Sequence, residues 1–236
     1  MERNVNACLI CGAPLHYFQT ERLLTCAVCG KPFPANASCD AGHFVCDTCH
    51  AAKGLAVIRA RCLVSDEKNP IRLMMEIMEQ PEIYMHGPEH HVLVGAALLT
   101  AYHNCGGAID LPAALDEIAL RGQKVPGGAC GFWGCCGAAV SAGMFVSIVL
   151  EATPLSREPW GLSNRMTGQA LEAIGALGGP RCCKRDSFTA VLTAIDFAER
   201  ELGVSMERPD RVVCQFSPEN AQCLGNRCPY HRSVKG

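Results

Sequence analysis

CAVCGKPFPANASCDAGHFVCDTC, residues 26–49, places five cysteines and one histidine at short, regular intervals. With Cys8-x2-Cys11 upstream it completes four ligand pairs: Cys8 and Cys11, Cys26 and Cys29, Cys39 and His43, Cys46 and Cys49. Eight such ligands suffice for two tetrahedral zinc sites. A glycine follows both Cys11 and Cys29, so the backbone can turn tightly there and aim its amides at the thiolates. Four ligands crowded between residues 39 and 49 would strain to wrap one ion, and alternating the pairs relieves that strain. In that cross-braced arrangement Cys8, Cys11, Cys39 and His43 hold one metal and Cys26, Cys29, Cys46 and Cys49 the other; sequential pairing is the less favoured alternative. Either way protein ligands fill every position, which suits a structural role for a segment too short to fold alone.

The segment Cys39-x3-His43-x2-Cys46-x2-Cys49 resembles the middle of RING-type and treble-clef fingers, where neighbouring pairs serve different metals. Ubiquitin-ligase activity does not follow, because the cross-brace is a scaffold that carries many functions. A rubredoxin-like iron on the two early knuckles is the alternative to zinc, and His43 favours zinc. His16 and His50 read as surface groups or as groups behind the ligands.

Beyond Cys62 the composition changes, and apolar residues recur at helical spacing. The organisation expected is a zinc module over residues 1–62, cross-braced or ribbon-like, followed by an all-α, cysteine-rich domain over 63–236. Asn69 caps a helix that Pro70 opens. Further helices are predicted over 90–103, 112–121, 134–152, 164–177 and 186–202, giving a mainly α fold built as a helical bundle. The run from Gly134 to Leu150 is shorter than the roughly 20 apolar residues a bilayer requires, so it reads as a buried helix.

The formal net charge of −2 supplies no general field for phosphates, which disfavours nucleic acid as a partner. Cys8 and Cys11 occupy the place of a signal peptide's apolar core, so a cytoplasmic setting without membrane contact is expected. In such a reducing setting, 17 cysteines among 236 residues point to metal ligation or redox chemistry more than to disulfides.

Three features of the helical region look chemical. His86-Gly-Pro-Glu89-His90-His91 enters a helix, and His86, Glu89 and His90 are candidates for proton transfer or an open metal position. The glycine-rich loop around Cys130, Cys135 and Cys136 brings thiols to the positive end of the following helix, where thiolates are stabilised. The third feature joins Cys182 and Cys183, flanked by Arg181, Lys184 and Arg185, to Cys214, Cys223, Cys228 and His231 near the carboxyl end. Those cations are expected to lower the neighbouring thiol pKa values. Four thiolates hold a four-iron cluster, so Cys130, Cys135, Cys136, Cys182, Cys183, Cys214, Cys223 and Cys228 are candidate cluster ligands; a third zinc or free reactive thiols remain alternatives. The compact C-x2-C-x2-C run of ferredoxins is absent, as are a Walker loop and a strand-GxGxxG-helix unit.

The combination of CGKPFPANASCDAGHFVCDTCH, MHGPEHH, GACGFWGCCGAA and GGPRCCKRDSF with the cysteine-rich tail resembles an uncharacterised domain family of anaerobic bacteria and archaea. Its members sometimes lie near, or are joined to, methyltransferase-like or radical-chemistry proteins. The resemblance implies an oxygen-avoiding setting suited to iron–sulfur clusters. The expectation is a metal-binding protein of redox or sulfur-transfer chemistry in anaerobic metabolism. It would have two structural zinc sites, an iron–sulfur cluster, a small-molecule or sulfur-containing substrate, and a protein partner docked by the zinc module. The competing expectation is a non-catalytic, zinc-stabilised adaptor.

Overall fold

The computed structural model describes residues 8–234. It opens on an antiparallel hairpin, β1 (Leu15–Thr25) and β2 (Pro32–Cys39), paired from Leu15 with Cys39 at the open end to Thr25 with Pro32 at the turn. A bulge between Tyr17 and Arg22 interrupts the register. Most of β1 is exposed on both faces, so the hairpin has little apolar burial of its own to hold it.

Helices follow: α1 (Asp47–Val64), α2 (Pro70–Met78), α3 (His90–Asn104), α4 (Leu111–Gly122), the single turn α5 (Ala129–Phe132), α6 (Gly137–Val149), α7 (Glu158–Leu177) and α8 (Cys183–Phe197). A π-helical turn, Ala198–Leu202, extends α8 before an irregular carboxyl-terminal segment. The mainly α architecture with a small amino-terminal metal-type module is the one expected. Among the described residues no helix is long and apolar enough to cross a membrane.

Helix α3, HHVLVGAALLTAYHN, is apolar all round, which suits only a central position, and it packs against α1, α2, α4, α6 and α8. Gly95 permits that crowding, because a Cβ there would lie 2.6 Å from Ile118 Cδ1 and 3.0 Å from Ser141 Oγ. Asn69 caps α2 as expected, its Oδ1 accepting from the amides of Ile71 and Arg72 at 3.1 and 3.2 Å.

Helix α1 was not among the helices expected. It buries only Ala51, Gly54, Ile58 and Cys62, a narrow stripe of mostly small side chains. Its first turn carries Cys49, while Cys62 near its end is fully buried in the main core. Helix α6 begins at Gly137 rather than Gly134, since Gly134 is left-handed (φ +63°) and Cys136 is extended.

Candidate metal centres

The hairpin distributes the amino-terminal ligands. The Cys26–Cys29 knuckle forms its turn, with Cys46 at the start of α1 and Cys49 in the first turn of that helix. At the open end, the Cys8–Cys11 knuckle precedes β1 and Cys39 ends β2, while the turn through Gly42 (φ +77°) folds His43 back onto it. The ligand atoms of Cys8, Cys11, Cys39 and His43 all lie within 4.8 Å of one another, as do those of Cys26, Cys29, Cys46 and Cys49. The pairs therefore alternate between two groups, each able to hold a metal ion.

Their spacing suits a metal. Around one tetrahedral ion with bonds of about 2.3 Å, sulfurs stand about 3.8 Å apart. Cys11 Sγ and Cys39 Sγ are 3.7 Å apart, Cys29 Sγ and Cys46 Sγ 4.0 Å, and Cys39 Sγ and His43 Nδ1 3.5 Å. Amides point at the sulfurs from Ile10 to Cys8 (3.4 Å), His43 to Cys39 (3.3 Å) and Cys46 to Cys26 (3.3 Å). Burial raises the Cys26 pKa, but the amides of Cys29, Cys46 and Val28 outweigh it and bring the thiol down to about 6. Cys49 goes the other way, to about 12, chiefly through its neighbour Cys46 and then burial. Without a cation, one thiolate in the set makes the next harder to form.

The later cysteines fall into three places. Cys182, Cys214, Cys223 and Cys228 line one cleft, partly open to solvent, between the start of α8 and the carboxyl-terminal segment. Cys182 caps α8, its sulfur accepting from the Arg185 amide at 3.4 Å and from Asn220 Nδ2 at 3.4 Å. The Gly225 amide donates to Cys223 Sγ at 3.4 Å, and the Cys214 amide donates to Tyr230 O at 2.7 Å, closing the segment into a loop. Among the described residues these thiols do not form a group converging within 4.8 Å as the amino-terminal sets do.

Cys130, Cys135 and Cys136 do not line that cleft. They lie in the loop over α5 and the start of α6, where Gly137 leaves no room for a Cβ, which would lie 2.2 Å from the His91 ring. Cys136 Sγ is 4.0 Å from Asp186 Oδ2, and the same carboxylate oxygen accepts from the Cys182 amide at 3.4 Å. The loop is tethered to α1 by the Gly127 amide, which donates to Asp47 Oδ2 at 2.7 Å. Cys183 is absent from the cleft lining and faces Gly87 and Glu89.

Arg181 and Arg185 pull the neighbouring thiol pKa values down, as expected, but not far enough to set the outcome. Burial dominates, raising Cys182 to about 11 and Cys136 to about 12, and pushing Cys183 up as well. Arg185 is engaged with Asp186 at 3.0 Å, and Arg181 lies 5.1 Å from the centre of the Tyr17 ring in the hairpin. Cys136 stands at the start of α6, yet burial and the Asp186 carboxylate override the helix end there.

Glu89 and His90 lie in the interior rather than on the cleft. Glu89 Oε1 accepts from the Tyr84 amide at 3.0 Å, and Oε2 stands 3.5 Å from His50 Nδ1 on α1. His90 Nδ1 is 3.1 Å from Gly87 O, and its Nε2 is 3.1 Å from Nζ of Lys184, a fully buried ammonium that also donates to Tyr84 O at 2.9 Å. This knot ties α1, the segment before α3, and α8 together. The sequence had pointed to Lys184 only as a charge beside thiols. Asn220, which fastens the tail to the α8 cap, had no local motif to reveal it.

His86 stands nearby with both ring nitrogens buried. Burial and the positive charge of Arg181, opposed by Asn220 and reinforced by Lys184, lower its pKa to about 4. An unfolded chain takes up this proton near pH 6.5 and the folded chain only near 4, so the stability is present above 6.5 and lost as pH falls toward 4. The loss through this residue amounts to about 3 kcal/mol. Denaturant midpoints at pH 7 and pH 4.5 should therefore differ less in His86→Asn than in the parent, and equal pH slopes would contradict this account.

A family model described only as a family of unknown function matches residues 58–231, from within α1 to His231. The matched region contains the cleft thiols, the loop thiols and the buried knot up to α1, whereas both amino-terminal ligand sets lie outside it. No curated protein and no solved structure matches the chain.

Proposed function

The chain belongs to the DUF5714 family of unknown function, and from that footing we propose that it is a zinc-braced metalloprotein of redox or sulfur-transfer chemistry. Residues 1–62 serve as the zinc module, and residues 63–236 as the working domain, where buried thiols hold an iron–sulfur cluster. The observation that carries the metal reading is the convergence of two complete ligand sets, each within 4.8 Å. A histidine in one set and the absence of any open position suit zinc as a structural ion. The remaining thiols, buried or half-buried and none of them in a disulfide, suit soft-metal chemistry in a reducing cytoplasm. His86, close to Asn220 on the cleft wall, is the proton-transfer candidate left after Glu89 and His90 are assigned to the interior knot.

A second role for the module is supported by its exposed apolar residues Leu9, Ile10 and Val28, which sit in the two knuckles and offer a contact for a protein partner. Anaerobic purification followed by zinc, iron and sulfide analysis tests the whole reading. Two zinc ions per chain together with iron and sulfide are expected. A colourless protein holding zinc alone would remove the redox reading and leave the adaptor.

A further inference from the structure

We infer that the cleft between α8 and the carboxyl-terminal segment is the seat of a four-iron, four-sulfur cluster held by Cys182, Cys214, Cys223 and Cys228. The inference rests on the iron–sulfur reading above and narrows it to four named thiols, leaving Cys130, Cys135, Cys136 and Cys183 as non-ligands.

Number and spacing carry it. A cubane takes four thiolates, and four line this cleft. Two sulfurs bound to one zinc cannot stand farther apart than twice the bond length, about 4.6 Å. The amino-terminal sets meet that limit closely, but the cleft thiols, among the described residues, do not gather into such a group. Instead they stand more widely spaced around one shared cleft, an arrangement that a cluster of several metal atoms can bridge and a single ion cannot.

The surroundings fit the same occupant. N–H groups of Arg185, Asn220 and Gly225 point at the Cys182 and Cys223 sulfurs, contacts of the kind that tune cluster potentials. Phe216, Leu224 and Met85 give apolar wall, and Arg185, paired with Asp186, lines the cleft beside them. The ligands come from the α8 cap and three points of the tail, which explains why no compact ferredoxin-like run marks them in sequence.

With a thiolate on every iron, none is left to bind substrate. Such a cluster gains one electron from a one-electron carrier and passes one on, its core alternating between 2+ and 1+, with no bond made or broken to the partner. The site is thereby assigned to electron transfer rather than to sulfur transfer.

Anaerobic reconstitution of the full chain with ferrous iron and sulfide, with iron and sulfide analysis and electron paramagnetic resonance after dithionite reduction, tests this directly. About four iron and four sulfide per chain are expected, with a paramagnetic signal on one-electron reduction. Cys214→Ser and the less buried Cys223→Ser should lose at least half of the iron or change that signal while circular dichroism shows the helices intact. Cys130→Ser and Cys135→Ser should match the parent in both measures. Parent-like iron and spectra in Cys223→Ser, or iron lost through Cys130→Ser instead, would overturn this seat yet leave the iron–sulfur reading standing. Three zinc ions and no iron in the parent would end both.

Discussion

Replacing Cys46 by serine is expected to release one metal ion per chain and loosen the hairpin turn, residues 26–31, from α1 while α3, α6 and α8 stay folded. The residue stands in a group of four able to hold a metal at the turn of the hairpin, and it joins that turn to the start of α1. The hairpin it supports is a two-stranded ribbon, mostly exposed, of a kind that is marginal in water by itself. Metal binding at sites of this type contributes about 10 kcal/mol or more to folding, which exceeds anything else available to so small a module. The helical domain, by contrast, has its own continuous core from Ile58 to Phe216. Metal release measured with a chromogenic chelator, beside limited proteolysis, should show one ion lost and cleavage confined to the amino-terminal segment. Two retained ions with a protease-resistant hairpin would refute the structural role of the site.

The second large effect is expected at Lys184. Its ammonium is fully buried at the start of α8, where the helix dipole already disfavours a cation, and it lies 5.0 Å from the centre of the Phe216 ring. Its bonds to Tyr84 O and His90 Nε2 join α8 to the segment leading into α3. Lys184→Met keeps most of the volume but leaves a buried carbonyl and a ring nitrogen without that donor, and should cost about 3 kcal/mol. Adding His90→Phe removes one of the stranded acceptors, so the double variant should lose less than the sum of the single losses. Urea denaturation of the four proteins in that cycle provides the measurement. Strictly additive losses would show that the two side chains do not act as a unit.

The ligand sets were legible in the sequence because metal coordination dictates both residue type and spacing, and the C-x2-C steps survive any fold around them. Helices α2, α3 and α4 were legible from their apolar patterning and the Asn69 cap. The hairpin was not, because β1 has no buried face, so no alternating pattern marks it. Helix α1 escaped because its buried stripe is Ala51, Gly54, Ile58 and Cys62, with little apolar bulk. Among the later cysteines, adjacency in sequence did not tell which of a pair reaches the cleft. Cys182 and Cys183 are neighbours in sequence, but the start of α8 turns one to the cleft and the other toward Glu89. Cys214, Cys223 and Cys228 are brought to Cys182 by Asn220 and by the pairing of Cys214 with Tyr230, and such long-range closures leave no local signature.

The short sulfur separations in the amino-terminal sets carry a liability. Cys11 and Cys39 at 3.7 Å, and Cys29 and Cys46 at 4.0 Å, need only a small approach to reach the roughly 2 Å of a sulfur–sulfur bond once nothing stands between them. A bound ion thus acts as a protecting group, occupying the lone pairs that air would otherwise engage. Stripping it under reductant leaves thiols that can be reloaded, whereas stripping it in air invites crosslinks that lock the module shut against metal.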